Sequence, residues 1–106
     1  MKVIVAGGRD FDNYGYLKLA LDKIQENYGE ITEVISGTAK GVDKLGERYA
    51  LENDIPIKKF IPDWEGLGKK AGHVRNRQMG DYAEGHNGML IAFWDKKSKG
   101  TKGMID

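Results

Sequence analysis

The sequence has no cysteine, only two prolines and two histidines, and almost no net charge. Without cysteine, disulfides and thiolate metal sites are excluded. His73 and His86 have no partner at helical spacing, so we expect no metal site. The 17 basic and 16 acidic residues leave a formal charge of +1. This balance argues against a protein that coats nucleic acid through its overall positive charge, although it allows a local basic patch.

Long apolar segments are also missing. No apolar run approaches the ~18 residues that a membrane-spanning helix needs. The first run, within residues 1–8, ends at two glycines and indicates a buried strand rather than a secretion signal. We therefore expect a cytoplasmic protein without a membrane partner. Its 106 residues fit one small domain over residues 1–106.

What the chain does contain is an alternation of short apolar runs and amphipathic segments. The predicted strands cover 2–6, 31–35, 55–60 and 89–94, and the predicted helices cover 14–27, 41–53 and 67–83. The first strand is apolar almost throughout, which is typical of a parallel strand covered on both faces, and the fourth is also apolar. The third contains a proline and suits a sheet edge. The pattern predicts an α/β fold: a single Rossmann-like three-layer domain with a mostly parallel sheet of about four strands and helices on both faces.

The first predicted strand runs into a glycine-rich loop made of Gly7, Gly8, Arg9 and Asp10. Paired glycines let a ligand approach the backbone closely. Arg9 offers several donors to a phosphate or carboxylate, and Asp10 is suited to bind a ribose hydroxyl or to orient Arg9. A tight turn with a surface Arg–Asp contact explains the pattern equally well. Neither the dinucleotide-binding nor the P-loop fingerprint is present.

A second glycine-rich turn joins the second strand to a helix. Its predicted ligand-binding residues are Ser36, Gly37, Thr38, Lys40, Gly41 and Asp43. Unpaired N–H groups at a helix start, together with the helix dipole, favour an anion. We expect Asp43 to brace the loop by accepting amide hydrogen bonds. The alternative is that Thr38 and Asp43 merely cap the helix.

A basic helical segment follows the third strand. Trp64 is suited to stack on a base. Arg75 and Asn76 are predicted to bind an anionic group, because the small residues 71–72 lie one helical turn before Arg75 and allow close approach. The alternative is a solvated basic face with a core or surface tryptophan.

The last candidate stretch follows the fourth strand. Ser98, Gly100 and Thr101 are predicted to form another anion cradle at the start of a helix. The alternative is a solvated lysine-rich tail.

Four stretches together resemble one known family. VAGGRDF at 5–11, SGTAKGVD at 36–43, WEGLGKKAGHVRNRQM at 64–79 and FWDKKSKGT at 93–101 are similar to YspA/YpsA-related members of the SLOG superfamily. The resemblance implies a Rossmann-like sheet that binds nucleotides or nucleotide-derived molecules. More distant relatives include the "lonely guy" phosphoribohydrolases, which cut a base from a nucleoside monophosphate, and a DNA-processing protein that binds single strands.

The sequence departs from this pattern at three points. Thr38 stands where members often have glycine, so we expect a differently shaped cradle, because a β-branched residue resists positive φ. The catalytic glutamate of the phosphoribohydrolases falls at Met104, which is unable to act as acid or base. Members usually continue through a helix and often another strand, so the chain is either a short version or a truncation.

These observations favour a module that binds a nucleotide-derived small molecule at the C-terminal edge of the sheet, as a sensor, sequestering protein or effector. No other cofactor is expected. One alternative is a nucleoside-phosphate hydrolase of phosphoribohydrolase type, with Asp10, Asp43 or Asp95 as its acid or base; the residue at position 104 weighs against an enzyme. A second alternative is binding of single-stranded nucleic acid through the basic helix. The ligand's identity and formation of a homo-oligomer stay open.

Overall fold

The computed structural model describes residues 1–93. Its elements in chain order are β1 (Lys2–Gly7), α1 (Tyr14–Tyr28), β2 (Glu33–Ser36), α2 (Val42–Glu52), β3 (Ile57–Lys59), α3 (Trp64–Leu67), a 3-10 turn (Gly68–Lys70), α4 (Ala71–Gly85) and β4 (Met89–Phe93). Within this part of the chain, no helix is long and apolar enough to span a bilayer.

The four strands form one parallel sheet in the order β3-β2-β1-β4. The chain first steps from β1 outward to β2 and β3, and then returns across the sheet to place β4 on the other side of β1. The strand order therefore reverses between β1 and β4. In open parallel sheets, ligands bind beyond the carboxyl ends of the strands beside such a reversal.

Helices cover both faces of the sheet. Neighbouring residues of β1 point to opposite faces, so they pack against different helices. Val3 and Val5 pack in one core cluster with α1 and α2. Ile4 and Ala6 pack in a second cluster with α4. All four side chains are buried. The predicted three-layer α/β architecture is confirmed, and β3 lies at a sheet edge as predicted, although it is shorter than residues 55–60 and begins just after Pro56.

The predicted helix at 67–83 is wrong at its start. The segment is divided into α3, the 3-10 turn and α4. Asp63 begins α3 early, since its carboxylate accepts the N–H of Gly66 at 2.9 Å. Gly68 then adopts a φ of 57°, which the α-helix does not allow.

The second strand also begins later than predicted, at Glu33 instead of residue 31. The backbone N–H of Ile31 donates to the side chain of Gln25 in α1, at 3.0 Å. Ile31 is nevertheless buried in the α1 and α2 core. Its apolar side chain therefore marks the core correctly, while its backbone belongs to the connection.

Candidate functional site

The two glycine-rich turns lie directly against each other. The N–H of Val42 donates to the carbonyl oxygen of Gly8 at 3.3 Å. Gly41 has a φ of 77°, and a Cβ there would lie 2.2 Å from the same oxygen and 2.6 Å from that of Arg9. Only glycine fits such a position. The start of α2 and the loop after β1 therefore form one continuous wall.

Gly7 and Gly8 join this wall to β4. A Cβ on Gly7 would lie 2.1 Å from the carbonyl oxygen of Phe93 and 2.5 Å from Cγ2 of Val42. The N–H of Gly8 donates to the same Phe93 oxygen at 3.2 Å. The two glycines thus serve strand and helix packing, and a ligand contact for them stays a prediction. Arg9 and Asp10, which follow, are exposed.

Ser36 is fully buried at the end of β2, and its hydroxyl group is used inside the protein. It donates to Oε2 of Glu47 at 2.6 Å and accepts the N–H of Thr38 at 3.1 Å. Its proton is therefore committed to Glu47. Glu47, only 8% exposed, also has the ammonium groups of Lys44 and Lys59 at 3.7 and 3.9 Å.

The sequence predictions did not include Glu47. The available signal was its place on α2, one turn after Asp43 and beside the apolar stripe that carries Tyr49 and Ala50. A buried carboxylate needs hydrogen-bond partners. Ser36 supplies one, so Glu47 and Ser36 together support the turn.

Thr38 adopts a φ of 64° despite its branched Cβ. Such a conformation is a marked outlier for a β-branched residue. We expected Thr38 to change the shape of the cradle because it resists positive φ, and the structure shows that it accepts the left-handed conformation. The bond from its N–H to Ser36 helps to hold it there.

Asp43 braces the turn as predicted. Its Oδ2 accepts the N–H of Ala39 at 3.1 Å, and a Cβ on Gly37 would lie 2.9 Å from the same oxygen. The interpretation of Thr38 and Asp43 as ordinary caps is not supported, because the N-cap is Gly41 and no side chain caps α2. Burial raises the pKa of Asp43, while the bond from Ala39 and the charge of Arg75 oppose this rise.

Arg75 reaches this turn from α4, on the opposite face of the sheet. Its Nη1 donates to the carbonyl oxygen of Gly37. Its Nε donates to Oδ1 of Asn76 at 2.8 Å, so Asn76 orients the guanidinium. Burial lowers the pKa of Arg75, the charge of Asp43 raises it, and Arg9 lowers it. The structure thus brings Arg9 and Arg75 to the same edge of the sheet.

Trp64 lies beside Arg75. Its Cη2 atom is 3.6 Å from the place that a Cβ on Gly72 would take, and Nη2 of Arg75 is 3.9 Å from the same place. The indole is 53% exposed. Lys40 is exposed on the second turn.

The remaining predicted residues lie outside the described part of the chain. They are Asp95, Ser98, Gly100, Thr101 and Met104. Within residues 1–93, no group of three or more metal-ligating side chains is present.

A separate cavity of about 640 Å³ lies on the α1 side of the sheet. Its described lining, which includes no charged side chain, consists of Phe11, Asn13, Tyr16, Ala20, Ile91, Ala92 and Phe93. Arg75 reaches the sheet edge from α4, on the face opposite to α1, and neither it nor Arg9 is among these described lining residues.

Comparison with curated proteins and with solved structures gave no match. A family model described as the YspA, cpYpsA-related SLOG family (YAcAr) matches residues 1–66. The matched span contains both glycine-rich turns and Trp64, and Arg75 follows it. Because the match covers more than half of the chain, the protein belongs to the YspA, cpYpsA-related SLOG family.

Proposed function

We propose that the protein binds a nucleotide-derived small molecule at the carboxyl edge of the sheet. The anionic group of the ligand would lie between the first loop, the turn before α2 and Arg75. The observation that carries the proposal is that Arg75 donates to Gly37 in the turn before α2, while the backbone of Arg9 packs against Gly41 of the same turn. Family membership is consistent with nucleotide-related ligands.

Charge supports an anion at this position. Burial lowers the pKa of Arg75, the charge of Asp43 opposes this, and the charge of Arg9 lowers the pKa further. Within residues 1–93, neither guanidinium has a carboxylate oxygen within 4.0 Å. A phosphate bound to both would relieve their repulsion and form charge-assisted hydrogen bonds, which are about twice as strong as neutral ones.

The backbone supports the same placement. The N–H groups of Thr38 and Ala39 are used inside the turn. Those of Lys40 and Gly41 have no acceptor among residues 1–93. They stand at the N-terminus of α2, where the helix dipole also favours negative charge.

Binding explains Asp43 better than acid–base chemistry does. Asp43 is only 7% exposed, and its carboxylate accepts the N–H of Ala39. A carboxylate in this position stabilises the turn. Asp10, the other candidate acid or base in the described part, is exposed.

A thermal-shift screen with AMP, ADP-ribose, NAD and inorganic phosphate tests the proposal. A probe at 100 times its Kd should stabilise the protein by about 2.7 kcal/mol. Arg75→Gln should abolish most of that shift. Arg77→Gln, which changes an exposed arginine on the same helix, should keep it.

If Arg75→Gln is too unstable to assay, the exposed Arg9→Gln replaces it. The proposal is refuted if no probe binds the parent protein. It is also refuted if Arg75→Gln and Arg9→Gln both show the same thermal shift as the parent protein. Chromatography of the same mixtures would detect base release, which would instead indicate a hydrolase. A steep salt dependence of oligonucleotide affinity would indicate nucleic-acid binding.

A further inference from the structure

We infer that Trp64 is a stacking platform, so that the ligand carries a planar aromatic ring beside its anionic group, as a nucleoside monophosphate does. This inference rests on the proposed function, because it specifies what the same site takes. A phosphorylated sugar without a base would use only part of the site.

The first argument is the position of the indole. Trp64 opens α3, which Asp63 caps, and its ring lies next to Gly72 in the first turn of α4. Cη2 of Trp64 and Nη2 of Arg75 both lie within 4 Å of one point, the place of a Cβ on Gly72. Because residue 72 has no side chain, nothing from that position separates the ring from the guanidinium.

The second argument is which donors of Arg75 are already used. Nε donates to Asn76 and Nη1 donates to Gly37. Nη2, the branch beside Gly72 and Trp64, has no acceptor within residues 1–93. An anion bound by Nη2 therefore places the rest of the ligand next to the indole.

The third argument is exposure. Trp64 leaves 53% of its surface open, and its ring lies beside the guanidinium of Arg75. Indole rings stack on nucleobases, and this contact tolerates different bases because every base has a π-face. We therefore expect tight binding to require a ligand that carries an aromatic ring, and we expect the protein to show little preference among the bases.

The experiment uses the Trp94→Phe variant, in which Trp64 is the single remaining tryptophan because the sequence has two. The protein is titrated with AMP, UMP and ribose 5-phosphate, and binding is followed by fluorescence and calorimetry. We expect AMP and UMP to quench Trp64 and to bind about tenfold or more tightly than ribose 5-phosphate. Ribose 5-phosphate should bind with little quenching.

Substitutions separate stacking from other effects. Trp64→Ala should weaken AMP binding by about tenfold or more and leave ribose 5-phosphate unchanged. Trp64→Phe should retain much of the AMP affinity, which also serves if the alanine variant folds poorly. The matched control is Tyr16→Ala, since Tyr16 is 59% exposed and lies at the α1 cavity. It should bind AMP like the parent.

Two results overturn the inference and leave the proposed function standing. One is an unchanged AMP affinity in Trp64→Ala. The other is a loss of AMP affinity in Tyr16→Ala, which would place the ring in the α1 cavity. If none of the three compounds binds the parent protein, both the inference and the proposed function fail.

Discussion

Replacement of Thr38 by glycine should make the protein more stable. Thr38 holds a φ of 64° with a branched side chain. The left-handed region costs a non-glycine residue about 1–2 kcal/mol. Glycine removes this strain and adds about 0.4–1 kcal/mol of backbone entropy to the unfolded chain. The net expectation is a gain of about 1 kcal/mol or somewhat less.

The entropy cost of glycine is measured separately at Thr32. This residue is exposed, has no positive φ, and uses its N–H in a bond to Met1 that glycine would keep. Thr32→Gly should therefore destabilise the protein by about 0.4–1 kcal/mol. The difference between the two glycine variants reports the strain at position 38.

Urea unfolding gives both free energies, since a change in midpoint at constant slope reports stability alone. For a domain of this size, 1 kcal/mol corresponds to about 4–8 °C in Tm. If Thr38→Gly destabilises as much as Thr32→Gly, the turn holds no strain at Thr38. In a Ser36→Ala background, the stability gained by Thr38→Gly should be smaller. Without the Ser36 hydroxyl as acceptor, Thr38 is held less firmly in its strained conformation, so less strain is left for glycine to remove.

Three further outcomes follow from the same packing and charges. Gly46→Ala should destabilise the protein, because the new Cβ would lie 2.9 Å from the Cβ of Val5. Gly80→Ala meets nothing within 4 Å and should stabilise the helix by about 0.5–1 kcal/mol. Thermal melts in which the two variants shift Tm in the same direction would contradict this expectation. Gly41→Ala should lower the free energy of unfolding by more than about 2 kcal/mol, because alanine would be strained at this φ and would clash with the first loop. Urea unfolding measures this change, and a free energy close to that of the parent would show that the two loops separate easily. Burial raises the pKa of Asp43 above its ordinary value of 3.8, so the folded protein keeps the carboxyl proton to a higher pH than the unfolded chain does. Between the unfolded and the folded pKa of Asp43, the free energy of unfolding therefore falls as the pH rises. Asp43→Asn keeps an acceptor and removes the charge, so its stability relative to the parent should grow from about pH 4 to neutrality; urea midpoints with a constant difference across this range would refute the linkage.

Most of the fold was predictable, because its signals are local. Alternating apolar runs and amphipathic segments predicted the order of strands and helices, and the proline at residue 56 indicated the edge strand. The error at residues 64–70 has a local cause too, since a capping aspartate and a left-handed glycine divide the helix.

The sequence by itself determined the α/β order, the glycine-rich turns after β1 and β2, and the resemblance that the family match confirmed. Only the tertiary structure decided how these parts meet. Arg75 bonds to Gly37, 38 residues away, across the sheet edge. Glu47 and Ser36 support Thr38 from the interior. Such contacts depend on the distance between packed layers and on the direction in which each helix starts, and a periodic pattern along the chain encodes neither.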